Sequence, residues 1–404
     1  MTSSNDGACP EKQLLVCCAR TRVDAPVTAE IRRLLALPLD WDFLLAQAAE
    51  NSVAPLLGRQ LSTVDSHTVP PEQLARLKNS VRAASVRSLV LAAELIRILE
   101  SFAVAGIEAF PYKGPVLAVQ AYGDVGLREF ADIDLVLRQS DLAAANRALM
   151  ALGFSPQFPS IFAPEAPSPL IPGEYDYRDA ERHVTVELHT ERTLRHFPIP
   201  PNLDDLAGRA ATVSISGHGI RTFSPEDTLI FLCVHGSKDF WERLLWIADI
   251  AQLIGVSPTL EWERVYRFAD EVLARRMLHL GLALAIRVFG ISLPDFVRAR
   301  VGADRLADSI ASQIERRLLS RSAPPIGSRA TFHYRRSMVA GTLAGLRYAL
   351  RLATLPAAED WHTIRLPRPL APLYAALRPF RLLRKYGASH SAPARPPSSA
   401  PANK

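Results

Sequence analysis

Tyr112–Asp141 reads YKGPVLAVQAYGDVGLREFADIDLVLRQSD. Two aspartates, Asp132 and Asp134, stand one residue apart in an apolar run, where burial makes charge costly. Residues i and i+2 of a strand share a face, so the pair projects together while Ile133 and Leu135 point to a core. Two carboxylates side by side repel each other unless a cation lies between them. Oxygen ligands suit Mg2+ or Mn2+. A bare Asp-x-Asp is most often an edge strand facing water, so the flanking residues carry the argument.

Upstream, a strand from Ile107 to about Phe110 ends at Lys113-Gly114, and a short helix follows over 114–122. Backbone N–H groups at such a turn can hold phosphate oxygens. Arg128, four residues before Asp132, is placed to reach the same anion. Downstream, VTVELH (184–189) reads as a second strand with Thr185, Glu187 and His189 on one face. Glu187 is the third carboxylate. His189 either orients a metal ligand or the triphosphate, or is a packed, hydrogen-bonded histidine. His235, Lys238 and Arg243 lie near one another where a helical region opens. They approach the phosphates from the opposite side of a cleft, or form a solvated helix face, with Asp249 as an ionic partner for one of them. Trp241, Trp246 and Trp262 read as core and His183 as surface. Three carboxylates beside a phosphate-holding turn are what two-metal phosphoryl transfer requires.

The arrangement resembles the polymerase-β-like nucleotidyltransferase superfamily, whose members carry a glycine turn, an acidic pair on one strand and a third acid on a later strand. More narrowly, it is similar to a family of uncharacterised bacterial nucleotidyltransferases. The matching residues are Lys113, Gly114, Tyr122, Arg128, Asp132, Asp134, Leu188, His189, Pro225, Glu226, Asp227, His235 and Asp249. With the opening pattern of residues 40–57, the likeness extends over roughly 28–385. Where the wider superfamily has Gly-Ser or Gly-Gly, this chain has Gly114-Pro115. Pro115 has no N–H to donate, and Lys113 supplies a charge in its place. The resemblance implies an α+β fold with a mixed sheet, flanked by N-terminal helices and a C-terminal bundle. It also implies transfer of a nucleoside monophosphate from an NTP to a hydroxyl acceptor, with release of pyrophosphate. Asp132, Asp134 and Glu187 would hold Mg2+ or Mn2+ and carry catalysis. Lys113, Gly114, Arg128, His189, His235 and Lys238 would bind the nucleotide.

Outward from this core, residues 1–27 read as disordered and 28–104 as helical, beginning behind a Thr28 cap. Within it, 72–104 is one long amphipathic helix whose buried face is Val86, Leu89, Val90, Ala93, Ile96 and Leu99. The α/β core spans 105–224 and includes a Pro-rich loop over 155–173. Ser224 caps a helical bundle over 225–330, with Pro225 at its first position. A basic, Pro-punctuated helical segment follows at 331–387, and 388–404 is a low-complexity tail.

The formal net charge of +6 is unevenly distributed. Between Arg316 and Lys385 there are 14 Lys/Arg against Glu359 and Asp360 alone, which points to an acidic partner or surface there. The apolar faces of this segment read chiefly as packing on the bundle, and alternatively as peripheral membrane contact through 331–385. Its basic residues lack the interleaved aromatics of a nucleic-acid stacking surface. The four cysteines have no zinc or disulfide spacing, so a reducing, cytoplasmic setting is expected. No N-terminal signal pattern and no transmembrane run is read. The partners are an NTP and an acceptor that is a small molecule, a peptide or a protein. The competing reading is a non-catalytic nucleotide- or anion-binding module of the same fold.

Overall fold

The computed structural model describes residues 9–64, 68–157, 175–190, 194, 196–322, 324, 326–355, 366, 370 and 373–387. The expected tail over 388–404 and most of the Pro-rich loop lie outside these residues.

Helices come first: α1 (Pro10–Cys18), α2 (Ala25–Leu35), α3 (Trp41–Glu50), α4 (Ala54–Val64) and α5 (Pro71–Val104). The expectation of disorder over 1–27 is corrected by α1, whose Leu14, Leu15 and Cys18 are buried in the main core. Pro10 sits in its first turn, and the apolar LLVCC run is too short to span anything but long enough to pack. The second helix also starts earlier than Thr28, because the Asp24 carboxylate accepts from the Val27 N–H at 2.9 Å.

The α5 helix is about 51 Å long at 1.5 Å per residue. Its buried stripe is Leu91, Leu95, Ile98 and Phe102, while Val86, Leu89 and Val90 are exposed. Of the expected face, Ile96 and Leu99 do pack against the sheet's core, and the first half of the helix packs Leu74, Leu77 and Val81 on the main core.

The middle of the chain supplies β1 (Ala109–Pro111), α6 (Gly114–Leu117), β2 (Ile133–Leu137), α7 (Leu142–Ala151), β3 (Ser155–Pro156), β4 (Tyr175–Asp179) and β5 (Val184–His189). These strands form one mixed sheet in the order β1-β2-β5-β4-β3, with β2 and β5 parallel and the other pairs antiparallel. Ile133, Leu135 and Leu137 face a core made with α5 and α7, together with Tyr175, Tyr177, Val184, Val186 and Leu188. Period-two alternation then commits Asp134, Val136, Asp176, Arg178, Thr185, Glu187 and His189 to the other face. Next come α8 (Leu203–Gly208) and a separate hairpin of β6 (Ala211–Ile215) and β7 (His218–Thr222).

The helical bundle is α9 (Pro225–Lys238), α10 (Leu244–Val256), α11 (Trp262–Glu271), α12 (Arg275–Phe289), α13 (Asp295–Ala303) and α14 (Arg305–Leu319). The Ser224 hydroxyl caps α9, accepting from the Asp227 N–H at 3.3 Å. The N-terminal helices and this bundle share one core, so they form a single helical body rather than two regions. Thr21 donates to Gln252 at 2.7 Å, and the Leu244 N–H donates to Asn51 at 3.0 Å, stitching the two together.

The basic segment supplies α15 (Ser328–Ser337), α16 (Thr342–Thr354) and α17 (Leu373–Gly387). It docks on the body, as the packing reading expected. Met338 and Val339 enter the main core, the Tyr348 hydroxyl donates to the His196 carbonyl at 2.7 Å, and Arg351 donates to the Phe197 and Pro198 carbonyls.

Candidate active site

Strands β2 and β5 are paired so that Asp134 faces Glu187 and Val136 faces His189. Parallel pairing at this register brings side chains from two distant stretches onto one patch. Asp134 is 3% exposed. Its Oδ1 receives the Lys113 ammonium at 3.0 Å and lies 3.2 Å from His189 Nε2, with the Tyr112 hydroxyl at 3.5 Å. His189 Nε2 is also 3.6 Å from Glu187 Oε2. Ligand atoms of Asp134, Glu187 and His189 all lie within 4.8 Å of one another, the one such group among the described residues. Asp132, expected as a metal ligand, stands just before β2, half-buried and outside this tight set, although it lines the same cleft.

Electrostatics here are those of a carboxylate cluster with an ammonium set against it. Burial raises the Asp132 carboxyl well above the usual range, and the charge on Asp134 pushes it further. Burial would do the same to Asp134, but the Lys113 ammonium and His189 outweigh it and hold that carboxyl well below the usual range. Lys113 is pulled down by burial and pushed up more strongly by Asp134, Asp132 and Glu187, so it stays an ammonium.

Gly114 makes this closeness possible. Its φ is +56°, the left-handed region, and a Cβ there would stand 3.3 Å from the Asp132 carbonyl. Lys113 precedes α6 in extended conformation, so its side chain runs back over the strand ends toward Asp134.

Across a cleft of about 840 Å³, the opposing wall carries His235 and Lys238 from α9, then Arg243 and Trp246. His235, Lys238 and Arg243 thus line the same cleft as Asp132 and Asp134. Burial, with Lys113 and Lys238 nearby, drives His235 well below its ordinary pKa, so it is a neutral imidazole. Its ring meets Trp246 edge-on with centroids 5.1 Å apart, and the Arg243 guanidinium lies 5.7 Å from the Trp246 ring centroid. The turn between α9 and α10 is tight: Phe240 and Trp241 both have φ near +55°, at 57° and 55°. Trp241 tucks over Gly236, where a Cβ would stand 2.5 Å from the indole. Trp241 is core, as expected, whereas Trp246 lines the cleft.

Arg128 departs from its expected role as a triphosphate ligand. Its Nε and Nη2 donate to the two oxygens of Asp249, each at 2.8 Å, and the Tyr122 hydroxyl donates to Asp249 Oδ1 at 2.7 Å. Asp249 thus pairs with Arg128 rather than with His235, Lys238 or Arg243. The triad ties the segment before β2 to α10. Glu226 and Asp227 are likewise structural, paired with Arg264 and Arg209 at the start of α9.

Glu187 faces a second groove of about 750 Å³ together with Thr185 and Asp176. Asp176 stands directly opposite Glu187 across β4 and β5. Asp134, Glu187 and Asp176 therefore form one acidic row over three strands. The sequence reading missed Asp176, though the alternation Tyr-Asp-Tyr-Arg-Asp over 175–179 signals a strand with Asp176 on its polar face. It also missed Tyr112, whose place next to the turn was legible but whose reach to Asp134 was not.

Two carboxylates and an imidazole converge closely enough to hold a divalent cation, with the Lys113 ammonium set against Asp134. The donor set suits Mn2+ as well as Mg2+.

The fold is α+β, and its site sets an acidic row on the sheet near a cleft whose far side carries Lys238 and Arg243. The chain belongs to the family described as uncharacterised nucleotidyltransferases, which it matches over residues 38–290. That span is shorter than the 28–385 read from sequence and ends before α13. Among solved structures, the chain is similar to an antigenic nucleotidyltransferase-like protein from Paracoccidioides brasiliensis. The two share 14% identity over 54% of this chain and 92% of that one, with a TM-score of 0.32. No curated protein matches.

Proposed function

We propose that the chain is a metal-dependent nucleotidyltransferase with a polymerase-β-like core. An acceptor hydroxyl oxygen attacks the α-phosphorus of a nucleoside triphosphate. The new O–P bond forms as the bond from that phosphorus to the α,β-bridging oxygen breaks. Pyrophosphate leaves with that electron pair, and the hydroxyl proton passes to a nearby base or to water. The observation that carries this reading is the facing pair Asp134–Glu187, joined by His189 and Lys113.

Asp134 and Glu187, with Asp132 beside them, would hold Mg2+ or Mn2+. A cation held there would supply charge to neutralise the triphosphate and to lower the pKa of the attacking hydroxyl. His189 orients the Asp134 carboxylate through its Nε2 contact. Lys113 keeps Asp134 ionised and marks where positive charge is tolerated. Gly114 lets backbone approach the phosphates. Neutral His235 and the Lys238–Arg243 wall face the anion. Glu187, open to the second groove, stands on the acceptor side and accepts the hydroxyl proton. The four cysteines are free thiols, which supports a reducing, cytoplasmic setting.

A second reading, a non-catalytic anion-binding module, draws on the same Lys113–Asp134 contact, because an ammonium already balances the buried carboxylate there. Labelled nucleotides separate the two. Transfer of α-labelled phosphate from one of the four NTPs to an acceptor supports nucleotidyl transfer. Transfer of the γ-label would mean a kinase instead. Binding without transfer of either label would leave the module.

A further inference from the structure

We propose that Arg335, on α15 beyond the family's matched stretch, completes the active cleft as a binding group for the polyphosphate of the donor, acting with Arg243. The inference rests on the nucleotidyltransferase reading and names which residues would grip the departing phosphates.

The cleft is walled on three sides. The sheet contributes Lys113, Gly114, Asp132 and Asp134, helices α9 and α10 with their connecting turn contribute His235, Lys238 and Arg243, and the third side is Ile326, Thr331 and Arg335. That third side comes from the basic segment that follows the bundle. Arg335 forms no ion pair among the described residues, and its Nε is buried without a hydrogen-bond partner there. A buried guanidinium nitrogen left so carries a desolvation penalty that an incoming acceptor oxygen relieves. Arg243 likewise has no ion pair among the described residues and stacks on Trp246 at the same wall. By contrast Arg128, four residues before Asp132, is held by Asp249 and is not offered to a ligand.

The wall is not uniformly cationic, since Asp239 and Glu242 also line it. The ligand must therefore reach specific guanidinium groups rather than a diffuse positive field. A phosphate chain does this: oxygens on successive phosphorus atoms meet separate arginines, and guanidinium forks match phosphate geometry. With the α-phosphorus at Asp132 and Asp134, the β- and γ-phosphates extend across the cleft to Arg243 and Arg335. Because α15 docks through its own contacts with the helical body, cleft completion depends on a segment that the family core does not contain.

The test uses the full chain and inorganic tripolyphosphate with Mg2+ or Mn2+, followed by titration calorimetry. Arg335→Ala should weaken binding by about tenfold or more, the loss of one charge-assisted contact. Arg335→Lys should restore part of it, because the charge returns without the fork. Melting curves run alongside: a lowered melting temperature with unchanged tripolyphosphate affinity would mark Arg335 as a packing residue and overturn the proposal. If Arg335→Ala does not fold, Arg335→Lys and Arg335→Gln are compared, and equal affinity for both overturns it as well. Wild-type protein that fails to bind tripolyphosphate does the same. Pyrophosphate release from an NTP by the wild type with unchanged tripolyphosphate affinity in Arg335→Ala would refute this inference and leave the function standing. Absence of release from every NTP, with tripolyphosphate still bound through Arg335, would instead refute the function.

Discussion

Replacing Asp249 with Asn removes half of a bidentate pair in a dry site. Arg128 Nε and Nη2 each lie 2.8 Å from an Asp249 oxygen, and the two side chains are 6% and 0% exposed. Burial alone would lower the Arg128 pKa, but Asp249 more than offsets it, so the guanidinium is charged in the fold. The asparagine keeps one acceptor oxygen, which Tyr122 and Arg128 must then share, and leaves a buried positive charge without a counter-ion. Removing one partner of a buried pair costs about 3–5 kcal/mol, set against a typical domain stability of about 5–15 kcal/mol. Urea unfolding followed by circular dichroism should show a correspondingly lower midpoint. The double variant Arg128→Met with Asp249→Leu should recover most of the loss, because the desolvation penalty disappears with the charges. A single Asp249→Asn variant within about 1 kcal/mol of wild type would refute the assignment of this pair as the clamp between sheet and bundle.

Gly114→Ala should destabilise by about 1–2 kcal/mol, from the left-handed φ and the contact with the Asp132 carbonyl, and should weaken nucleotide binding at the same time. A melting curve and a titration that both match wild type would show the turn to be tolerant. Gly236→Ala should cost about 1–3 kcal/mol and shift the tryptophan emission, because its methyl meets the Trp241 ring. Unchanged fluorescence and stability would contradict that packing. Exposed Leu343, Leu346 and Leu350 on α16, and Leu373, Leu377 and Phe380 on α17, recur at helical spacing within the basic segment. Co-sedimentation with anionic but not neutral vesicles, weakened by salt, is therefore expected of the full chain. No sedimentation at low salt would show that these stripes serve something other than a lipid surface.

The strand bearing Asp132 and Asp134 was legible because apolar alternation and turn residues bracket it closely. The Lys113-Gly114 turn was legible for the same reason, and its φ of +56° explains why glycine stands there. Glu187 was found by period-two logic, and the parallel register with β2 supplies what logic of one strand cannot: that it faces Asp134. Arg128 was misread because a free arginine near an anion site and an arginine clamped by Asp249 look identical in sequence; the partner lies 121 residues away. The buried face of α5 was read in part: Ile96 and Leu99 pack on the sheet's core, whereas Val86, Leu89 and Val90 are exposed, because only tertiary contact chooses between competing apolar stripes. The α1 helix was missed because its short apolar run sits among polar residues that gave no periodic signal. No helix among the described residues is long and apolar enough to cross a membrane, in line with the hydropathy of the sequence.

The central claim is that the acidic row and the cleft facing it transfer a nucleotide. Pyrophosphate release is the direct measurement, with each NTP, Mg2+ or Mn2+ and a cell-derived acceptor mixture, comparing wild type with Asp134→Asn and Glu187→Gln at matched folded concentration. The account predicts cation-dependent release with at least one NTP. Asp134→Asn should lose it by about a hundredfold or more, and Glu187→Gln should lose turnover more than nucleotide affinity. Release that persists in Asp134→Asn at saturating cation, from a protein whose melting curve is unchanged, would contradict it.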